Sequence, residues 1–263
     1  SGSRPLKTLG LPDPGTLTTV GLPAVRALAE VSVALTIGGL LLAAFLVPPQ
    51  PSGYLEVSGY RAVRAASWAA AVWTAAALLL VPLHTADALG RPVFDVLDPG
   101  ILFGLVPRLA DATAWLISGL IALLVTIGCR SVLTWGWTVV VFGIALVGPL
   151  PVLFTGHSAS GGSHDIATDS LVLHGLAVSL WVGGLVAVLA TAAAHGPDRD
   201  TALATAVPRF SRFALVCWVV LALTGIVNAL VRIPLGALFT TGYGALLLLK
   251  AAALVGLGTL GAL

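Results

Sequence analysis

The stretch from Thr168 to Ala194 reads TDSLVLHGLAVSLWVGGLVAVLATAAA, and it decides the class of fold. It contains one carboxylate, Asp169, and one histidine, His174, among residues that are otherwise apolar, small or hydroxyl-bearing. A helix of about 20 mostly apolar residues crosses the ~30 Å hydrocarbon core of a bilayer. The stretch therefore predicts a transmembrane helix, and Thr168 or Asp169 is its expected N-cap.

Six other runs repeat this pattern and extend it over most of the chain. They are Leu22–Val47, Ala62–Leu83, Ala110–Cys129, Val132–Phe154, Phe213–Val231 and Thr241–Leu263. Hydrophobic residues make up 58% of the 263 positions and charged residues 9%, which excludes a soluble protein. The runs are continuously apolar and do not alternate as barrel strands do. We predict an all-α polytopic membrane bundle of about seven transmembrane helices, folded as a single domain over residues 1–263.

The chain starts with Ser1 and stops inside an apolar run at Leu263. Neither end carries the usual signals of a start or of a membrane exit, so we expect more chain on both sides. Residues 1–21 are then an extracytoplasmic segment of a multi-pass protein of the cell (inner) membrane.

The orientation follows from the arginines of the loops, because cytoplasmic loops retain positive charge. The total of Arg and Lys divides evenly between the two faces when the N-terminal tail is counted. The loop from Thr155 to Asp169 has no Arg or Lys, yet it carries His157, His164 and Asp165. We therefore predict that this loop is extracytoplasmic.

Four of the five histidines fall on this outer face under that topology, since the second run ends at His84 and the fifth begins near His174. The Gly161-Gly162 pair permits a tight turn that could bring the loop histidines to the helix. The predicted metal site has four histidine ligands and three supporting carboxylates: His84, His157, His164 and His174, with Asp87, Asp165 and Asp169. A histidine at a membrane interface is also often a simple amphipathic anchor, and no H-x-x-x-H or C-x-x-C spacing is present.

The available ligands narrow the choice of metal. The chain has no methionine, and Cys129 and Cys217 map to the opposite half of the membrane. Imidazole and carboxylate suit Cu(II), Zn(II) or Ni(II) better than Cu(I). The two cysteines are either small buried residues, which we favour, or a soft inner site for Cu(I).

Three polar residues lie inside the apolar runs. Glu30 and Lys250 occupy similar depths in the first and seventh runs, and an isolated charge there costs several kcal/mol. We predict that they form an ion pair, which is either a structural lock or a proton-coupling element. Asn228 follows Thr224 by one turn and would join helices or act as a weak ligand.

The second half of the chain resembles the membrane domain of the copper resistance D (CopD) family. The resemblance rests on HGLAVSLWVGGL from His174, RFSR from Arg209, Thr224-Gly225 with Asn228, and TGYG from Thr241 leading to Lys250. It covers residues 174–263, while the first 150 residues share only the general character. His174 corresponds to the helix histidine of that family, Trp181-Val-Gly-Gly to its packing motif, and Lys250 to a lysine of its pattern.

The resemblance implies copper resistance or homeostasis, with copper moved across or delivered at the membrane, and no enzymatic activity. Such domains are often fused to a CtaG-like cytochrome c oxidase assembly domain in high-GC Gram-positive bacteria. The implied partners are this domain, a periplasmic copper carrier or cytochrome c oxidase, besides the lipid bilayer, and no nucleic acid. Direction of transport and energy source stay open.

Two other functions remain open. Two histidines such as His84 and His174 could ligate a b-type haem in an electron-transfer protein, which a visible spectrum would reveal. The third reading is an assembly scaffold without an ion site, which metal analysis would test.

Overall fold

The protein is described from a computed structural model. The described residues are 14–155 and 164–232 except 197, together with nine positions between 245 and 256, and only the backbone is described for 164–168 and 228–232. His157, Lys250 and most of the seventh predicted run lie outside them.

The described chain is helical apart from short turns and one isolated bridge between Tyr54 and Thr134. Eight α-helices follow one another: α1 (Gly15–Leu41, continued by a π-helical turn Leu42–Leu46), α2 (Val57–Leu89), α3 (Pro99–Leu105), α4 (Ala110–Ser131), α5 (Trp135–Val147), α6 (Leu150–Thr155), α7 (His164–Ala193) and α8 (Arg199–Arg232). Among the described residues, six helical segments are long and apolar enough to cross a membrane, with α5 and α6 together forming one of them. The predicted bundle and the first six predicted spans are confirmed.

Helix α1 is the centre of the bundle, because it packs against both α2 and α7. Two adjacent glycines of α1, Gly38 and Gly39, contact different helices. A Cβ on Gly38 would collide with the backbone of Gly183 in α7, and a Cβ on Gly39 would lie 3.0 Å from the Ala62 carbonyl of α2. Small residues let helix backbones approach closely in membranes. The described parts of α2 and α7 make little contact with each other.

The remaining helices extend this row on both sides. Helix α4 packs against α2, and α8 packs against α7. The indole of Trp73 in α2 is fully buried and donates to Ser118 Oγ of α4 at 3.1 Å. The row of helices therefore runs α4, α2, α1, α7, α8.

Three boundaries differ from the sequence-based expectation. Helix α7 begins at His164, several residues before the predicted caps Thr168 and Asp169. Helix α8 begins at Arg199, before the predicted run Phe213–Val231, so Arg209 and Arg212, which that prediction leaves in the preceding loop, are helical residues. The fourth run is interrupted at Gly148 and Pro149, where prolines cannot supply amide hydrogens to the helical ladder.

The two ends of the bundle carry opposite charge among the described side chains. The end near His84 has five aspartates and three arginines: Asp87, Asp95, Asp98, Asp111, Asp169, Arg26, Arg91 and Arg108. The other end, called the arginine end below, has six arginines and three acidic residues: Arg61, Arg64, Arg130, Arg199, Arg209, Arg212, Glu56, Asp198 and Asp200. The positive-inside rule predicts that the arginine end faces the cytoplasm.

Candidate metal site between helices α7 and α8

His174 is half-buried and forms a polar junction between α7 and α8. Its Nδ1 lies 2.9 Å from the Thr224 hydroxyl oxygen, and one turn earlier the Ser170 hydroxyl donates to the Thr224 backbone carbonyl at 3.1 Å. Ser170 and Thr224 are both buried. Two side chains of α7 are thus bonded to a single residue of α8 in otherwise apolar surroundings.

Of the two ring nitrogens of His174, Nδ1 is the one that is bonded to the Thr224 hydroxyl. That hydroxyl donates its only proton to the Val220 carbonyl at 2.6 Å, so towards His174 it acts as an acceptor. With the hydroxyl in this orientation, the ring hydrogen is on Nδ1 and the lone pair of the neutral imidazole is on Nε2. Metal-bound histidines are commonly oriented by a hydrogen bond from the other ring nitrogen, which is the arrangement seen here.

The junction lies well inside the membrane. Thr224 follows Arg212 of the arginine end by twelve residues, which is about 18 Å along the helix, within a hydrocarbon core of ~30 Å. The start of α7 at His164 also places His174 inside the membrane, since His174 is ten residues into that helix. His174 is therefore deeper than its predicted place at the start of the helix.

Glu30 lies at a similar depth on α1. Helices α1 and α7 are the first and fifth spans, so they run in the same direction, and they cross at Gly38 and Gly183. Glu30 precedes this crossing by eight residues and His174 by nine. The described partner of Glu30 is Arg26, whose Nε lies 2.9 Å from Oε1, with both side chains largely exposed. The predicted Glu30–Lys250 pair stays a prediction, because Lys250 lies outside the described residues.

His84 occupies a different place. It follows Arg64 by twenty residues along α2, which is about 30 Å and corresponds to the opposite membrane boundary. Its Nε2 is buried with no hydrogen-bond partner within the described structure, and the nearby charges that act on it belong to Asp111, Arg26 and Asp87. An unpaired buried polar atom costs roughly 1–3 kcal/mol, so this nitrogen is suited to a ligand.

The structure does not bring the described members of the predicted site together. His84 and His174 lie on helices that make little contact and differ in depth by roughly 12 Å. Among the described residues, no three His, Cys, Asp or Glu side chains are grouped to hold a metal ion. Asp87 and Asp169 are exposed. His157 and the side chains of His164, Asp165 and Asn228 lie outside the described residues, so the four-histidine site stays a prediction.

The cysteines are buried free thiols on helices that do not pack together over the described residues, with Cys129 on α4 and Cys217 on α8. This agrees with the packing role favoured from the sequence and gives no joint Cu(I) site. His195, the fifth histidine, is exposed at the arginine end.

The RFSR motif has a role that the sequence alone did not reveal. Arg209 donates to the Phe45 carbonyl in the π-helical turn at 3.2 Å, while the Phe210 ring packs on Gly184, where a Cβ would lie 2.7 Å from it. The Trp135 indole donates to the Ala44 carbonyl in the same turn at 2.7 Å. A π-helical turn leaves carbonyls without their usual helical partners, and here two side chains from other helices bind them.

Comparison with known proteins agrees with these motifs. The domain model "Copper resistance protein D-like, N-terminal domain" matches residues 17–165, and the model "Copper resistance protein D" matches residues 204–263. The chain belongs to the copper resistance protein D family. The first match corrects the expectation that the first 150 residues share only general character, and the His174 motif lies between the two matched ranges.

Two curated relatives are similar to a large part of the chain. The uncharacterized protein ML1998 of Mycobacterium leprae is 28% identical over 175 residues, covering 66% of this chain and 27% of that protein. The copper transport protein CutJ of Bacillus subtilis is 29% identical over 199 residues, covering 72% of this chain and 36% of that protein. The matched part thus spans only about a quarter to a third of the length of these relatives. No solved structure matches the chain.

Proposed function

We propose that this chain is the membrane domain of a copper-handling protein, and that His174 is an intramembrane station for copper on its way across or into the membrane. The observation that carries the proposal is the His174–Thr224 hydrogen bond, which fixes the position of an imidazole between α7 and α8. The family match and the similarity to CutJ, a copper transport protein, identify copper as the metal to test.

Charge and depth suggest a sequence of steps. The aspartate-rich end near His84 attracts cations from solution. The predicted ligands His157, His164 and His84 would capture Cu(II) there, with Asp87, Asp165 and Asp169 orienting imidazoles. His174 lies about 12 Å deeper than His84 and would receive the ion next. This refines the single four-histidine site into an entrance and an inner station.

Charged groups inside the bundle would complete the path. Glu30 lies at the depth of His174, and ionisable residues within membranes usually line ion or proton pathways. We propose that Glu30, with Lys250 and Asn228, forms the polar lining beyond His174. No step of this kind requires catalysis by the chain, so we propose a transport or delivery role and not an enzyme.

The test is copper flux by the protein reconstituted in proteoliposomes, compared between wild type and His174→Ala. We expect at least a tenfold lower flux for His174→Ala at equal insertion, because the inner ligand is lost. His195→Ala is the matched control, since it removes a histidine at the arginine end, and it should retain wild-type flux. Unchanged flux in His174→Ala would overturn the proposal, and a Soret band in the purified protein would favour the haem alternative.

A further inference from the structure

A groove of about 320 Å³ lies between α2 and α7 in the half of the bundle nearest the arginine end. Leu35 and Gly39 of α1 form its floor, and its walls are small residues such as Ala65 of α2 and Ala190 of α7. Gly38 of α1 contacts α7 and Gly39 contacts α2, so α7 and α2 lie on different sides of α1. The described parts of these two helices therefore make little contact with each other. Over the described residues, the side chains that line this space leave it open.

The dimensions of the groove match one lipid acyl chain. It extends along α2 from Ser58 to Ala69 and along α7 from Gly183 to Ala194, which is about 16 Å on each helix. Half of a ~30 Å hydrocarbon core is one leaflet, so the groove is one leaflet long.

The polar end of the groove is positively charged. Arg61 and Arg199 line it together with Asp198, and the Arg61 guanidinium nitrogens lie 3.4 and 3.8 Å from the position that a Cβ would take on Gly196. Arg61 has no hydrogen bond or ion pair within the described part of the chain. Arg199 approaches the exposed Asp200 only at 4.0 Å, which is a weak surface contact. Two arginines and one aspartate give the lining of this end a net positive charge, which favours the binding of a phosphate group.

We propose that this groove binds one anionic phospholipid of the cytoplasmic leaflet. Its acyl chain lies between α2 and α7, and its phosphate is bound by Arg61 and Arg199. Anionic lipids are attracted to basic juxtamembrane residues on the cytoplasmic side, and basic pockets between transmembrane helices bind their headgroups. The site is separate from the His174 junction, so it does not depend on the proposed copper role.

The test is native mass spectrometry of the protein with phosphatidylglycerol or phosphatidylethanolamine added in competition. Wild type should prefer phosphatidylglycerol, and Arg61→Gln/Arg199→Gln should lower its occupancy at least fivefold. Arg64→Gln is the matched control, because Arg64 is at the same end but does not line the groove, and it should behave as wild type. Ala65→Leu should lower the occupancy of both lipids by filling the apolar part.

A photoreactive phosphatidylglycerol gives a second measurement that needs no variant. We expect it to label the peptide 58–69 of α2 in the intact protein. Equal binding of the two lipids, a double variant that binds like Arg64→Gln, or labelling confined to other surfaces would overturn the proposal. The last result is also the one expected if another protein segment covers the groove.

Discussion

Helix α7 meets its two neighbours in opposite ways. Against α1 it uses Gly183, whose backbone touches that of Gly38 with no side chain between them. Against α8 it uses Ser170 and His174, which hydrogen-bond to Thr224. The first contact depends on shape alone, and the second depends on donors and acceptors placed in an apolar medium. The close-packed contact with α1 and the hydrogen-bonded contact with α8 lie about two turns apart on the same helix. A substitution can therefore change one contact without changing the other.

The largest expected effect comes from breaking the apolar crossing. Gly183→Ala adds a Cβ that collides with the Ala34 carbonyl, and overpacking of this kind costs roughly 1–3 kcal/mol or more. We expect a clearly lower midpoint of thermal unfolding in detergent. Gly143→Ala is the control, because its Cβ would meet nothing within 4 Å and alanine favours a helix. Equal midpoints for the two variants would contradict the close crossing of α1 and α7.

Sequence reasoning could identify the crossing only in part. The Gly183-Gly184 pair indicates close helix approach, since small residues have that effect wherever they occur in membrane helices. The pattern does not reveal the partner, because α1 and α7 are separated by more than a hundred residues and several glycines of other helices face open space. The transmembrane helices were predictable, because a continuous apolar run of about 20 residues is compatible with few structures other than a membrane-spanning helix.

The polar junction was less predictable for a related reason. The sequence indicated His174 as a ligand, but not its hydrogen bond to Thr224, which depends on the register of α7 against α8. The predicted start of α7 was wrong because Thr168 and Asp169 look like caps, while the observed helix begins at His164. That difference determines whether His174 lies at the surface or within the membrane. The predicted run Phe213–Val231 leaves Arg209 in a loop, whereas its bond to Phe45 depends on a π-helical turn that the sequence pattern does not predict.

The second largest effect is expected at the hydrogen-bonded contact between α7 and α8. Thr224→Val keeps the shape of the side chain but removes the acceptor that orients His174, so the copper affinity should fall about tenfold. Thr224→Ser restores the hydroxyl and should recover most of the affinity. Titration of copper into the purified protein measures both variants. A valine variant that binds copper as tightly as wild type would show that the junction only joins helices.

The smallest effect concerns how α8 is held at the arginine end. Arg209→Gln removes the hydrogen bond to the Phe45 carbonyl, which is partly exposed to solvent and therefore worth about 1 kcal/mol. Arg212→Gln removes the same charge one turn away, where the described structure gives its side chain no hydrogen bond or ion pair. We expect the unfolding midpoint to fall by a few degrees for Arg209→Gln and to stay near wild type for Arg212→Gln. Both variants should retain copper binding, because the His174 junction is about 18 Å from Arg212 and about 22 Å from Arg209 along α8. If both arginine variants were equally destabilised, charge at this end and not the bond to the π-helical turn would hold α8 in place.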